Sequence, residues 1–188
     1  MKFEDCKSIK EYAQVVSQHL HSRGINCILT GGACVSIYSN EKYKSNDLDF
    51  LIPGEVKLNV VRDALKELGF EEKGRVFLHK KFELSIDLIA PPLTVGEEHI
   101  TKVNEIREKD TLLKLLTPTD SVKDRLSAYY HWNDQQAFEQ ALMVCKDQDI
   151  DIDNVREWSR GEGMIDKFIQ FKSEFDQLKI NNDFGMTM

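Results

Sequence analysis

One stretch of the chain, residues 28–52, limits the fold more than any other: ILTGGACVSIYSNEKYKSNDLDFLI. An apolar segment, Ile25 to Leu29, leads into it and predicts a buried β-strand. The glycine pair Gly31-Gly32 then predicts a tight turn, and a short helical run follows the turn. The order of strand, turn, helix, loop and second strand is typical of an α/β fold. The first backbone N–H groups of a helix that begins at such a turn lack intrahelical partners, so they favour an anion.

The second strand of this stretch carries two acidic residues, Asp47 and Asp49, on either side of Leu48. Side chains alternate across a strand, so the two carboxylates share one face, with Cα atoms roughly 7 Å apart, and Leu48 points into the core. Carboxylate oxygens at this spacing can jointly hold divalent cations. Charge inside an apolar strand is costly to bury without a partner, which favours a functional role. An anion-binding turn beside a carboxylate pair indicates a metal-bound polyphosphate as the ligand.

The composition restricts the class of protein. A chain of 188 residues, with 41% hydrophobic and 30% charged residues, is typical of one globular domain or of a core with a helical appendage. Its net charge of −7 argues against a broad, sequence-independent nucleic-acid binder, which normally has a basic excess. Any nucleic-acid substrate would therefore need a local basic patch. The candidates are Lys42 and Lys44 near the site and Lys80 with Lys81, although solvated surface is the favoured interpretation for most of them.

Targeting signals and cysteine spacing point to the cytoplasm. The first twenty residues lack the apolar core of a signal peptide, and no later run reaches membrane-spanning length. We therefore expect a cytoplasmic protein with no membrane partner. The cysteines lack the paired spacing of a zinc site and are expected to be reduced thiols: Cys6, Cys27, Cys34 and Cys145.

The remainder of the chain predicts a mixed α/β architecture in two parts. Residues 1–116 alternate between helical and extended patterns and predict a catalytic core built on a small mixed sheet. Residues 93–110 are polar and predict a loop with one short strand, His99 to Ile106. The Thr117-Pro118 pair is a strong helix start, and residues 117–180 predict a helical region packed on the core. Residues 181–188 are expected to be a mobile tail.

A third acidic candidate lies in the segment KFELSIDLIA, Lys81 to Ala90. Its alternation predicts a strand with an apolar face and an opposite face that carries Glu83, Ser85 and Asp87. A single aspartate in an apolar strand is normally an edge residue or is satisfied by a hydrogen bond. From the residues alone, its role stays open.

The pattern hydrophobic-Gly-Gly, helix, Asp-Leu-Asp-Phe resembles the signature of the nucleotidyltransferase superfamily, which shares its catalytic core with DNA polymerase β. The loop EKYKSNDLDF and the stretch PTDSVKDRLSAYYHWND are similar to bacterial minimal nucleotidyltransferases and AbiEii-type toxins. The resemblance is good over Ile25 to Leu88 and looser over Thr117 to Trp158. AbiEii-type proteins commonly have Thr after the glycine pair, where this chain has Ala33, so one hydroxyl contact to phosphate is missing.

The resemblance implies a role for each candidate carboxylate. A third carboxylate is expected on a strand beside the Asp47–Asp49 strand, in a hydrophobic-Asp-hydrophobic context, and Asp87 fits that place. Glu83 is the competing choice, although its lysine neighbours favour a surface role. In a two-metal scheme, Asp47 and Asp49 bridge two Mg²⁺ or Mn²⁺ ions, and Asp87 binds the ion that activates the acceptor.

The resemblance also implies which residues contact the nucleotide. Gly31, Gly32 and the helix that follows them would hold the triphosphate. A lysine on the first helix of the second part and an aspartate just after that helix correspond to Lys123 and Asp134, and Lys42 adds positive charge nearby. The alternative for the charged turn around Lys123 is solvated surface, with Asp124 and Arg125 in local pairs.

The implied reaction is transfer of a nucleoside monophosphate from an NTP to an acceptor hydroxyl. The acceptor is undetermined between RNA such as tRNA, a protein side chain and a small molecule. The protein could act as the toxin of a toxin–antitoxin system, with an antitoxin protein as partner. The alternative function is a non-catalytic nucleotide-binding or regulatory module.

Overall fold

The computed structural model describes residues 2–185 except 53, 55, 109 and 110, with side chains up to residue 179. A short 3-10 helix, Phe3–Asp5, precedes the other elements. In chain order, the helices are α1 (Ile9–His21), α2 (Gly31–Tyr38), α3 (Leu58–Glu67), α4 (Pro118–Trp132), α5 (Gln135–Asp147), α6 (Ile152–Gly161) and α7 (Ile165–Gly185). The strands are β1 (Ile28–Thr30), β2 (Asp47–Leu51), β3 (Phe70–Lys73), β4 (Val76–His79), β5 (Ser85–Ile89), β6 (Thr94–Val95), β7 (Glu98–His99), β8 (Asn104–Glu108) and β9 (Thr111–Leu115).

The described strands form a seven-stranded mixed sheet in the order β3-β4-β5-β2-β1-β9-β8, and β6 pairs with β7 in a separate hairpin. Strand β2 lies at the centre, parallel to β5 and antiparallel to β1. Helix α2 packs on β2, and α4 packs against both α2 and α5. The expected α/β fold with a small mixed sheet and a C-terminal helical region is confirmed, and its central strand is the one that carries Asp47 and Asp49.

Strand β5 is shorter than the segment predicted from Lys81 to Ala90, and a histidine explains why. The Nδ1 atom of His79 accepts hydrogen bonds from the backbone N–H groups of Lys81 (3.1 Å) and Phe82 (3.2 Å). These bonds turn the chain after β4, so pairing with β2 begins only at Ser85. The alternating pattern alone contains no sign of this side-chain bond.

Residues 93–110 contain more strand than the sequence predicts. The expected single strand from His99 to Ile106 is wrong, because His99 ends β7 and Ile106 belongs to β8. Strand β8 pairs with β9 over its whole length, from Asn104 with Leu115 to Glu108 with Thr111. Its side chains are too polar to show the pattern of a buried strand, and its pairing comes from a neighbour later in the chain.

The C-terminal helices begin and end where local chemistry favours it. Thr117 caps α4 by accepting from the backbone N–H of Asp120 (3.1 Å), and Asn133 ends the helix in the left-handed conformation. All described strands lie before residue 116, and α4 to α7 follow residue 117, in agreement with the expected order of elements. The boundary between the two predicted parts stays a prediction. Of the expected tail, residues 181–185 belong to α7, and 186–188 lie outside the described residues.

Among the described helices, none is both long enough and apolar enough to cross a membrane.

Candidate functional site

The centre of the sheet brings acidic side chains of two strands together. Strands β2 and β5 run parallel, and their register pairs Asp49 with Asp87 and Asp47 with Ser85. Adjacent strands lie roughly 4.8 Å apart, and side chains at paired positions point to the same side. Asp47, Asp49 and Asp87 therefore share one face of the sheet, which we call the carboxylate face. The residue between the first two, Leu48, is fully buried on the opposite side.

Gly31 allows the turn before α2 to lie directly against this face. Its φ of +68° is in the left-handed region, and a Cβ atom at this position would come within 1.9 Å of Asp49 Oδ2. No side chain fits in that space. The contact is reinforced by Thr30, which pairs with Asp49 in the ladder and donates its hydroxyl to the Asp49 carbonyl (3.2 Å). The glycine is therefore required by the close approach of the Asp49 carboxylate, as well as by the turn.

The N-terminus of α2 has features of an anion site. Its N-cap residue, Thr30, makes no side-chain capping hydrogen bond, so the side chain leaves the first N–H groups of the helix unsatisfied. A Cβ atom on Gly32 would lie 3.4 Å from Ser45 Oγ. The Ser45 backbone N–H donates to Ser36 Oγ (2.9 Å), and its hydroxyl donates to the Asp47 carbonyl (3.0 Å). One serine thus connects α2 with the start of the acidic strand.

The electrostatics of the carboxylate face centre on Asp49, which is partly buried. Burial raises the pKa of Asp49 to about 6; Arg125 lowers it, and the negative charges of Asp124, Asp87 and Asp47 raise it further. A carboxyl group with this pKa is ready to bind a proton or a cation at neutral pH. Such a shift beside a specific charge partner favours a functional site over a structural ion pair.

The pair Asp124–Arg125 on α4 acts electrostatically on Asp49, although one interpretation of the sequence places this turn on the solvated surface. The predicted local pair does form, with Arg125 Nη2 2.5 Å and Nε 3.0 Å from Asp124 Oδ2. However, only 21% of the Arg125 side chain is exposed, and its charge is close enough to Asp49 to lower the pKa of that carboxyl. Helical periodicity in the sequence was the feature that could have indicated the partial burial of Arg125, because its neighbours Val122, Leu126 and Tyr129 on the helix are buried.

Lys123 lies in a different environment. Its side chain is 1% exposed, and its ammonium group lies 2.7 Å from Glu98 Oε2 and 3.5 Å from Asp120 Oδ1. We call these three residues the Lys123 cluster. In the described part of the chain, Lys123 has no hydrogen bond or ion pair with the carboxylate face, so its contact with phosphate stays a prediction.

Two other residues predicted to bind nucleotide are also held by local contacts. Lys42 Nζ lies 2.6 Å from Asp147 Oδ2, at the end of α5. Asp134 caps α5 by accepting from the Ala137 backbone N–H (3.1 Å). Neither side chain bonds to the three aspartates in the part of the chain that the structure describes. Their roles in nucleotide binding stay predictions.

The donor atoms of the carboxylate face suit a hard divalent cation, because carboxylate oxygens are the ligands that Mg²⁺ and Mn²⁺ favour. The three aspartates do not converge fully: among the described residues, no group of three or more His, Cys, Asp or Glu side chains is close enough to hold a metal ion. Asp47 Oδ1 accepts a hydrogen bond from the Ser85 hydroxyl. Asp87 is the register partner of Asp49, whereas the competing Glu83 is exposed and precedes β5. The chemistry of these donors fits the cation, and the strand register pairs two of them, Asp49 and Asp87.

Comparison with protein-family models gives no match, and comparison with curated proteins gives none either. Among solved structures, the chain is similar to an antigenic nucleotidyltransferase-like protein from Paracoccidioides brasiliensis. The TM-score is 0.54 with 14% identity, over 73% of this chain and 75% of that one. Two structures of the antibiotic-resistance factor ANT(2″)-Ia, one in complex with adenylyl-2″-tobramycin, have TM-scores of 0.48 and 0.45. They are 13% and 14% identical and cover 89% and 93% of this chain and 98% of theirs.

At 14% sequence identity, the structural similarity supports a shared fold and gives no information about a shared substrate. The TM-score above 0.5 and the order of elements around β2 agree with the fold that the sequence motifs imply. Closeness to AbiEii-type toxins stays a prediction. The chain therefore has a nucleotidyltransferase fold.

Proposed function

We propose that the protein transfers a nucleoside monophosphate from an NTP to an acceptor hydroxyl and releases pyrophosphate. The observation that carries this proposal is the parallel register of Asp49 with Asp87, next to a glycine turn that admits no side chain. This arrangement sets carboxylate oxygens directly beside the unsatisfied N-terminus of α2. A ligand that satisfies both must combine cations with phosphate groups, as a metal-bound nucleoside triphosphate does.

Phosphate binding would involve both halves of the site. The turn at Gly31 and Gly32 would provide backbone N–H groups, and Arg125, whose charge acts on Asp49, would provide a guanidinium group. Arg125 suits phosphate because its N–H donors form a planar fork. Neutralising charge that develops on the leaving pyrophosphate is the role that was predicted for Lys123. Arg125 is a second candidate for this role; both residues already have partners, Lys123 in Glu98 and Arg125 in Asp124 and Gln140.

Mg²⁺ or Mn²⁺ would be held by Asp47, Asp49 and Asp87, and when bound it would stabilise negative charge on the phosphate oxygens and lower the pKa of an acceptor hydroxyl. The raised pKa of Asp49 reflects burial and like charges that a bound cation would relieve.

In the reaction, the acceptor oxygen forms a bond to the α-phosphorus, and the bond from that phosphorus to the bridging oxygen of the β-phosphate breaks. The hydroxyl proton passes to a base, for which the Asp87 carboxylate is the candidate. The electron pair of the broken bond leaves on pyrophosphate, whose charge Arg125 and the N-terminus of α2 would stabilise. Ser85, bonded to Asp47, would orient that carboxylate.

The biological setting is a further part of the proposal. The acceptor classes are RNA such as tRNA, a protein side chain and a small molecule, and the net charge of −7 requires that an RNA be held by a local patch. A cytoplasmic toxin controlled by an antitoxin protein is one setting for such an enzyme. A nucleotide-binding module without catalysis is the alternative, and an intact set of three aspartates favours the enzyme.

The test is to incubate the protein with each NTP, labelled on the α-phosphate, in the presence of Mg²⁺ or Mn²⁺, with cellular RNA or protein lysate. Transfer of label by the natural protein, and not by an Asp47→Asn/Asp49→Asn control, is expected. Tight nucleotide binding with no transfer to any acceptor would favour the module. No binding of any NTP with metal would overturn the proposed function.

A further inference from the structure

A pocket of about 240 Å³ lies between the start of α1, the loop before β2 and the turn before β5. Two buried apolar residues, Ile9 and Leu84, contribute to its wall. Its volume is below the roughly 300–1,000 Å³ of sites for drug-sized ligands, so it suits a single ring system. Among the described residues that line it, none is a candidate metal or phosphate ligand. The pocket is therefore a separate feature of the molecule that needs its own explanation.

Three partly buried aromatic side chains line the pocket: Tyr12, Tyr43 and Phe82. The ring centroids of Tyr12 and Phe82 are 6.0 Å apart, and both rings pack on Phe3, at 4.9 and 5.7 Å. The Phe82 backbone N–H also donates to His79 Nδ1 (3.2 Å). These contacts hold the aromatic wall in place before any ligand binds. A preformed aromatic wall is the type of surface on which a planar ring stacks.

The polar groups of the pocket favour a neutral ligand with hydrogen-bonding edges. Its charged side chains are two lysines and two glutamates, so their formal charges cancel. A phosphate or an ammonium group would gain little net attraction there. The exposed side-chain amide of Asn46 makes no hydrogen bond with any other residue that the structure describes. An amide provides both a donor and an acceptor, which match the edge of a nucleobase.

Tyr43 connects the pocket with the glycine turn. A Cβ atom on Gly32 would lie 3.4 Å from Tyr43 Cε1 and 3.6 Å from the Tyr43 hydroxyl oxygen. On the other side, Asn46 directly precedes Asp47, the first carboxylate of β2. A ring in the pocket would therefore lie beside both the turn that is proposed to hold phosphate and the acidic strand. A nucleotide combines a planar base with phosphate groups and can contact both places.

We propose that this pocket binds a nucleobase, which stacks on the aromatic wall of Tyr12, Tyr43 and Phe82 and forms hydrogen bonds with the Asn46 amide. The inference rests on the proposed function, because it states which part of a nucleotide substrate is recognised and by which residues. The base belongs to the donor NTP or to the terminal nucleotide of an RNA acceptor. The chemistry of recognition is the same for both.

The first test uses the four free nucleosides without metal, because they have a base and no phosphate. Titration followed by NMR is expected to detect binding of at least one nucleoside at millimolar concentrations. Phe82→Leu should weaken that binding roughly fivefold to a hundredfold, since stacking on an aromatic ring is lost. Phe138→Leu is the matched control, because Phe138 is also partly buried and packs on other rings, but on α5. No nucleoside binding, or equal losses in the two variants, would overturn the proposal.

Two further measurements distinguish the sources of the base. If it is the base of the donor, Phe82→Leu should weaken the binding of metal-bound NTP more than that of metal-bound tripolyphosphate, which has no base. If it is the base of the acceptor, Phe82→Leu should keep the affinity for NTP and weaken the binding of a short single-stranded RNA with a free 3′ end. Affinities of Phe82→Leu for all three ligands equal to those of the Phe138→Leu control would overturn the proposal.

Failure of this proposal is distinct from failure of the proposed function. Nucleoside binding that depends on Phe82, in a protein that transfers no nucleotide to any acceptor, would support the pocket and contradict the enzyme. Nucleotide transfer that is unchanged in Phe82→Leu, at concentrations of NTP and acceptor below saturation, would support the enzyme and overturn the assignment of the pocket.

Discussion

The carboxylate face and the Lys123 cluster are both partly buried groups of charges, yet they are built on opposite principles. In the Lys123 cluster, one ammonium group has two carboxylates within 3.5 Å, so charges of opposite sign satisfy each other. On the carboxylate face, three aspartates share one side of adjacent strands, and burial together with like charge raises the pKa of Asp49 to about 6. Arg125 offsets only part of this.

Under the proposed function, the difference separates charges that hold the fold from charges that bind a ligand. When one partner of a buried ion pair is removed, the other charge is left buried and unpaired, and the fold is destabilised. A cluster of like charges lowers stability until a cation or proton binds. Neutralising substitutions should therefore change the free energy of unfolding in opposite directions at the two clusters. At the carboxylate face they should stabilise the metal-free fold, and at Lys123 they should destabilise it.

The largest effect is expected on catalysis. Asp87→Asn should lower nucleotide transfer by more than roughly a hundredfold, because it removes a carboxylate beside the reacting groups, while NTP binding is largely kept. Single-turnover assays and equilibrium binding measure the two quantities. Glu83→Gln is the matched control, since Glu83 is exposed and precedes β5. Full activity of Asp87→Asn, or a comparable loss in Glu83→Gln, would remove Asp87 from the scheme.

The contact between the glycine turn and Asp49 can be tested with two glycines that have the same φ. Gly31 and Gly74 both have φ of +68°, but a Cβ atom meets Asp49 only at Gly31 and meets nothing within 4 Å at Gly74. Gly74→Ala should cost about 1–2 kcal/mol for the left-handed conformation alone. Gly31→Ala should cost roughly 2–5 kcal/mol, because steric overlap adds to it. Equal losses of unfolding free energy in urea would contradict the close contact.

Metal-free stability should depend on pH through Asp49. Its folded-state pKa of about 6 exceeds the ordinary value of 3.8, so the folded protein binds this proton more tightly, and stability falls as pH rises from about 4 to 6. Asp49→Asn should therefore stabilise the protein at pH 8 by at most about 3 kcal/mol, and by little at pH 4.

In the absence of metal, the double variant Asp47→Asn/Asp49→Asn should be at least as stable as the natural protein. It should have no transfer activity. If the aspartates are structural acceptors instead, the double change should cost about 1–3 kcal/mol at neutral pH. Denaturation in buffers that contain a chelator measures both variants against the natural protein.

Ligand binding should offset the loss of folding stability that the like charges of the carboxylate face cause. Mg²⁺ or Mn²⁺ with an NTP at 100-fold excess over Kd should stabilise the natural protein by about 2.7 kcal/mol, provided that it binds only the folded state. Thermal melting with and without ligand measures this shift. Asp47→Asn/Asp49→Asn should lose it, and melting that does not respond to any of the four nucleotides would argue against the site.

The smallest effect is expected at the Lys123 cluster, with opposite sign. Lys123→Met should destabilise the metal-free protein by about 2 kcal/mol, which is less than for a fully buried pair because Glu98 is half exposed and can be solvated. Denaturation curves of Lys123→Met and of the control Lys102→Met, at an exposed lysine nearby, would show the difference. A Lys123→Met protein as stable as the control would remove the contrast between the two clusters.

Local features of the chain were readable because their physical causes are local. The alternation of Asp47, Leu48 and Asp49 placed two carboxylates on one side of a strand, and the glycine pair located the turn before α2. The Thr117-Pro118 start of α4 follows from capping chemistry within one turn of helix. The mixed α/β fold followed from the order of these elements.

Contacts between distant segments were decided only by the tertiary structure. The parallel register of Asp49 with Asp87, the hydrogen bond of Arg125 with Gln140 and the ion pair of Lys123 with Glu98 each join residues of different elements. A periodic pattern states which face a side chain occupies, and it does not contain the element that will cover that face. For this reason the sequence identified the acidic strand correctly, while the partners of Lys123 and Arg125, Glu98 for one and Asp124 with Gln140 for the other, became known only from the tertiary structure.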